Sequence, residues 1–244
     1  MSKRIKFFLT HLFLSFLIGC LIVGLVFLVW YPAPLSQAVG VTQIFLMLLL
    51  IDVIVGPLLG FFIYKEGKSS LKFDLTVIIT LQMCALSYGV YSLEQGRPAW
   101  IVQHGDRFEL IRKNDILLEH QRNALPQFQK VSWRGPQYAA VQLAKNVNKQ
   151  QDDIFKEVLG GISIAQQPER YVELTQMKDQ MQQRAQDLAQ LKQLNEVSQV
   201  ESILQKYPRA NAWLPLKANA VDMVVLIHKE SAEIIKIVDL RPWN

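Results

Sequence analysis

The chain has 244 residues, half of them hydrophobic, and a formal net charge of +5 from 26 Lys and Arg against 21 Asp and Glu. Residues 1–74 hold six of those cations against three acids, so the soluble remainder is nearly neutral and has no basic stripe for nucleic acid. Cys20 and Cys84 both lie in apolar runs, which excludes a disulfide framework in the outer domain.

Three apolar stretches open the chain. Phe7 to Tyr31 carries no formal charge, Val39 to Tyr64 carries only Asp52, and Leu75 to Leu93 carries none. Each can cross ~30 Å of hydrocarbon as a helix rising 1.5 Å per residue. Lys3, Arg4 and Lys6 before the first run also suit a secretory signal, and Leu17-Ile18-Gly19-Cys20 has the form of a lipoprotein cleavage box. Both readings are disfavoured because the apolar run continues past Cys20 to Trp30. The cation bias orients the spans. Lys3, Arg4 and Lys6 precede the first, Lys65, Lys68 and Lys72 separate the second from the third, and YPAPLSQA between the first two has no charge. The N-terminus is expected in the cytoplasm and the C-terminus on the far side. Trp30, Tyr31 and Tyr64 are candidate membrane-interface anchors, as is Trp100 just beyond the third span.

Residues 97–244 suffice for one domain with its own core. AWIVQH and RFELIR flank Gly105-Asp106 and predict a hairpin or one long bulged strand. DDIFKEVL predicts a short helix stopped by Gly160-Gly161. Leu174, Met177, Met181, Ala185, Leu188 and Leu191 recur at three- and four-residue steps and predict a long helix over 168–195. Ser198 with Glu201 reads as a capping box and predicts a second, short helix ending at Tyr207-Pro208. Two β-branched runs around Lys229 to Ala232 predict a C-terminal antiparallel hairpin. The expected class is therefore three N-terminal transmembrane helices plus an α+β extracytoplasmic domain, a small antiparallel sheet with helices on one face. The last strand is expected beside the first, directly or through a neighbour, returning Trp243 toward the membrane; the alternative is that Trp100 and Trp243 each pack separately in the core. No metal-ligand spacing, GxSxG, P-loop, HExxH or dinucleotide fingerprint occurs, and His104, His120 and His228 are scattered. Neither a catalytic residue nor a cofactor nor a metal is expected.

RPAWIVQHGDRFEL, WLPLKANAVDMVVL and the final VDLRPW, with WYPAPLSQAVGVTQIFLMLLLIDVIVGPLLGFFIYKEGKSSLKFDL over the second span and its flanks, resemble the TfpX/TfpZ type IV pilin accessory proteins over nearly the whole chain. The resemblance implies an inner-membrane protein that acts on a type IV pilin, its cognate major pilin, to promote pilus assembly or dynamics without catalysis. It admits other pilus assembly proteins and the lipid bilayer as further partners. The alternative is a membrane-anchored periplasmic sensor or scaffold whose spans serve only as anchor.

Asp52 is the residue that needs explaining. An ionised carboxylate at mid-span costs ~2.5–3.5 kcal/mol by insertion scales. Pro57 frees a helix carbonyl and is expected to bend the helix there, Gly56 and Gly60 admit a close neighbour, and Gln82 lies mid-way along the third span. Together they describe a notch with a polar floor. Asp52 either bonds Gln82 and fixes the bundle, or helps receive the apolar N-terminal helix of a pilin, or lines a proton path. An intramembrane aspartyl protease is disfavoured, since the only second candidate, Asp74, sits at the mouth of the next helix and suits a cap.

Overall fold

The computed structural model of the protein describes residues 1–142 and 161–243. The helix expected over 152–159 lies outside the described residues. Helix α1 (Lys3–Gly24) continues as a π-helical turn to Trp30. Short α2 (Leu35–Val39) follows, then α3 (Val41–Ile63) and α4 (Leu71–Gly96). Three helices, Lys3–Trp30, Val41–Ile63 and Leu71–Gly96, are long and apolar enough to cross a membrane. Helix α3 runs unbroken through Pro57. At the α1 N-terminal end, Arg4 donates to the Phe61 carbonyl at 2.6 Å and lies 4.0 Å over the Phe61 ring, tying α1 to the last turn of α3. Asp74 sits in the first turn of α4, paired with Lys68 at 2.6 Å, where the helix dipole favours its charge.

The rest of the described chain builds one seven-stranded sheet. Its strands are β1 (Pro98–His104), β2 (Arg107–Arg112), β3 (Gln137–Val141), β4 (Tyr171–Val172), β5 (Ala212–Lys217), β6 (Met223–His228) and β7 (Glu233–Val238). Their order is β4-β3-β1-β2-β5-β6-β7. Gly105, with φ of +65°, makes the tight β1–β2 turn, and the register closes at His104 opposite Arg107. The β6–β7 hairpin also forms as expected, closing at His228 opposite Glu233.

Two expectations about the sheet are corrected. The sheet is mixed rather than antiparallel, because β1–β3 and β2–β5 are parallel pairs. The last strand is an edge, separated from β1 by β2, β5 and β6, and Trp243 stays at the surface, donating to Asp222 at 2.9 Å.

The long helix over 168–195 is likewise absent. Its apolar positions serve two faces of the sheet, which one straight helix cannot do. Leu174, Met181 and Ala185 pack with Ile101, Leu214 and Val225 on one face, whereas Leu188, Leu191 and Leu194 pack with Trp213, Val224 and Leu226 on the other. The chain changes face at Gln186. There β2 and β5 pair only at Phe108–Leu216 and Glu109–Lys217, leaving the start of β5 open. Gln186 fills that gap by exchanging backbone hydrogen bonds with Trp213 at 2.9 and 3.1 Å. Asp187 then caps the next turn through the Ala189 N–H. In place of one helix stand α5 (Lys178–Arg184), α6 (Leu191–Leu194) and short 3₁₀ turns, followed by α7 (Val197–Lys206). Helices consequently lie on both faces, not one.

The loop between the first two long apolar helices joins the sheet core. Leu35 and Ala38 of α2 pack with Ile101, Phe108, Leu214 and Val225, and the Ala38 carbonyl accepts from Ala220 and Val221. Beside it the Tyr31 hydroxyl donates to the Leu93 carbonyl at 2.7 Å. Glu94, near the end of α4, takes Lys113 at 2.7 Å and buried Arg97 at 3.3 Å. These contacts bind the domain to the end of the helical bundle.

Candidate functional site

Helix α3 is the centre of the bundle, packing against α1 on one side and α4 on the other. Asp52 is eleven residues from each end of α3, about 16 Å at 1.5 Å per residue. Gln82 of α4 reaches across toward α1. His11 Nε2 donates to its Oε1 at 3.0 Å, and its Nε2 lies 3.1 Å from the Ser15 hydroxyl and 2.9 Å from the Asp52 backbone carbonyl. Gln82 therefore meets Asp52, but through the main chain. The Asp52 carboxylate has no hydrogen-bond partner among the described residues. Asp52 lines a cavity of about 170 Å³ together with His11, Ser15, Gln82 and Leu86.

The glycines around Asp52 admit the chain's own helices. A Cβ on Gly56 would fall 2.1 Å from Gln82 Oε1, and one on Gly60 would fall 2.9 Å from Phe7 Cε1. Gly56, Pro57 and Gly60 are all buried. Of the notch the sequence describes, α1 and α4 fill the glycine side and leave the carboxylate side open. The opening continues toward the sheet domain. A groove of about 500 Å³ between α1 and α4 is lined by Ile22, Trp30, Leu86, Val90 and Glu94. A hollow of about 320 Å³ beside α3 again includes Asp52, with Phe45, Leu49 and Gly89. Leu86 borders all three spaces.

His11 and Ser15 were not singled out by sequence reasoning, although a histidine and a serine four residues apart mark a polar face on an otherwise apolar helix. The expected interface anchors fare differently. Trp30 and Tyr31 are buried against protein, and Tyr64 is half-buried with its ring 5.5 Å from Phe7. Trp100 is 1% exposed because β1 is an inner strand and turns it into a cluster with Phe128 and Tyr171.

The sheet domain holds one dense polar cluster. Glu109, 4% exposed, accepts from His104 Nδ1 at 3.1 Å, Ser163 Oγ at 2.7 Å and Arg107 Nε at 3.3 Å. Burial alone raises its pKa, but these donors and the Arg107 charge outweigh it and hold the carboxyl at about 2. Ser163 donates to Glu109 rather than to His104, so the imidazole is not placed to take its proton. The cluster is a satisfied structural charge. Among the described residues no group of three or more His, Cys, Asp or Glu could hold a metal ion.

A family model described as "Fimbrial assembly protein FimB" matches residues 1–40. The fimbrial assembly protein of serogroup I from Dichelobacter nodosus is 33% identical over 228 residues, covering 90% of this chain and 88% of its own length. The chain belongs to the fimbrial assembly protein family. The serogroup E1 protein of the same organism is also 33% identical, over 229 residues, with the same coverage. The protein of serogroups C1 and C2 is 36% identical over 111 residues, covering 45% of this chain and 85% of its own. No solved structure matches the family member described here.

Proposed function

We propose that this protein is a pilin accessory factor of type IV pilus biogenesis, of the TfpX/TfpZ kind. It resides in the bacterial inner membrane with its N-terminus cytoplasmic and its sheet domain periplasmic. Its bundle receives the apolar N-terminal helix of the pilin in the opening between α1 and α4, and its work is binding rather than catalysis. Membership of the fimbrial assembly protein family supports the pathway. One observation carries the site: a carboxylate at mid-span that no described residue hydrogen-bonds, on a residue that lines an opening in the bundle. Apolar surface on a spanning helix is content against lipid, but an unsatisfied carboxylate is not. A partner helix bringing a hydrogen-bond donor or a cation to that depth satisfies it. Asp52 is the contact, with Gln82 setting the wall behind it and Gly56, Pro57 and Gly60 allowing that wall to form.

The test uses Asp52→Asn and Asp52→Leu in the full chain. Both variants are expected to insert at normal abundance, because the His11–Gln82–Ser15 bonds do not use the carboxylate. Pilin should cease to co-purify in mild detergent, and surface pili should fall. Undiminished pilin capture by Asp52→Leu would refute the site and leave the spans as an anchor for a scaffold.

A further inference from the structure

The segment from Lys130 to Gly135 is polar and basic, yet it carries a bare tryptophan. Trp133 is 56% exposed, while Trp30, which it meets edge-on at 6.3 Å between ring centroids, is 3% exposed. Gly135, at φ of +55°, brings the loop backbone onto the end of the first span. A Cβ there would lie 3.5 Å from the Val29 carbonyl oxygen. That end has a definable depth. The helix from Lys3 to Trp30 has 28 residues, about 42 Å at 1.5 Å per residue. This exceeds the ~30 Å hydrocarbon layer and equals the ~40–45 Å of a bilayer with its headgroups. With that helix centred across the bilayer, Trp30, and Trp133 against it, stand at headgroup level on the side of the sheet domain.

The charges fit that position. Lys130 and Arg134 are exposed, and neither side chain has an ion-pair partner among the described residues. From His120 to Gln142 the sequence has Arg122, Lys130 and Arg134 and no acidic residue. An indole with one polar edge suits the boundary between acyl chain and headgroup, and flanking cations suit lipid phosphate.

We propose that Lys130–Gly135 is a bilayer-binding loop, with Trp133 seated among the headgroups and Lys130 and Arg134 holding the phosphates of anionic phospholipids. The loop would fix the sheet domain flat against the bilayer beside the first span, independently of any pilin. The test is made on the full-length protein in vesicles of phosphatidylcholine with and without phosphatidylglycerol. The Trp133 emission is taken as the difference between the natural chain and Trp133→Phe. It should be quenched more by lipids brominated near the headgroup than by lipids brominated near the bilayer centre, and should be shielded from aqueous iodide. Headgroup quenching should rise with phosphatidylglycerol. Lys130→Gln with Arg134→Gln should abolish that rise, each cation accounting for about a fivefold change in surface occupancy. Emission open to iodide and untouched by brominated lipid would overturn the proposal. Headgroup quenching indifferent to phosphatidylglycerol and to the double variant would overturn its phosphate-binding part.

Discussion

Gly56→Ala should change sign with its background. On the natural chain the new methyl would sit 2.1 Å from Gln82 Oε1, so the amide must leave. Its three bonds, to His11, Ser15 and the Asp52 carbonyl, go with it. Interhelical hydrogen bonds in membranes average about 0.6 kcal/mol each, so the loss is about 2 kcal/mol. Replacing glycine by alanine within a helix returns up to about 1 kcal/mol, leaving a net destabilisation of about 1 kcal/mol. Gln82→Ala alone removes the same bonds and should cost about 2 kcal/mol. With Gln82 already truncated, Gly56→Ala meets no amide and should stabilise by about 1 kcal/mol. The interaction energy of the cycle is then about 2 kcal/mol, well outside the scatter of independent sites. Unfolding of the four purified proteins by added sodium dodecyl sulfate in mixed micelles, followed by loss of helicity, measures it. Equal destabilisation by Gly56→Ala in both backgrounds would show that Gln82 does not lie over Gly56, and the polar floor of the cleft would be wrong.

Two further predictions concern the sheet domain. Gly40, at φ of +78°, would place a Cβ 2.8 Å from that of Ala220, so Gly40→Ala combines a left-handed penalty of about 1–2 kcal/mol with a clash; limited proteolysis of the full chain should show new cleavage near Val39. Glu109 is held at about 2 in the folded protein against 4.5 unperturbed, so its stabilisation is complete above pH 4.5 and is lost as pH falls toward 2. The loss amounts to about 3 kcal/mol and should vanish in Glu109→Gln, as melting curves across that pH range will show.

The three long apolar helices were legible because their sequences stay apolar and almost uncharged for so long, and Gly105 and the Lys229–Ala232 turn announced their hairpins by local chemistry alone. Strand β5 was hidden by Pro215, which reads as a strand breaker. It is tolerated because β2 pairs only with Leu216 and Lys217 beyond it, so no neighbour there needs its missing N–H. The false long helix had a true period whose stripe divides between two faces at Gln186, and periodicity carries no mark of which face it serves. At the candidate site, Asp52 and Gln82 were found by their incongruity among apolar neighbours. Their bond through a backbone carbonyl was not, since no side-chain pattern encodes a main-chain acceptor. Trp100 was misplaced because closeness to a span in sequence says nothing of which way a strand turns its side chains.

The docking of α2 on the sheet bears on how such proteins can be recombined. A hybrid joined at Gly96 and Arg97 would separate the long apolar helices of one parent from the sheet of another along the line that element boundaries suggest. It would also give the sheet a foreign lid, because Leu35 and Ala38 complete its core and the Ala38 carbonyl serves the amides of Ala220 and Val221. The unit of exchange is therefore discontinuous: residues 31–40 travel with 97–243. Specificity grafted from one relative to another should hold only when that short loop is transferred along with the domain it covers.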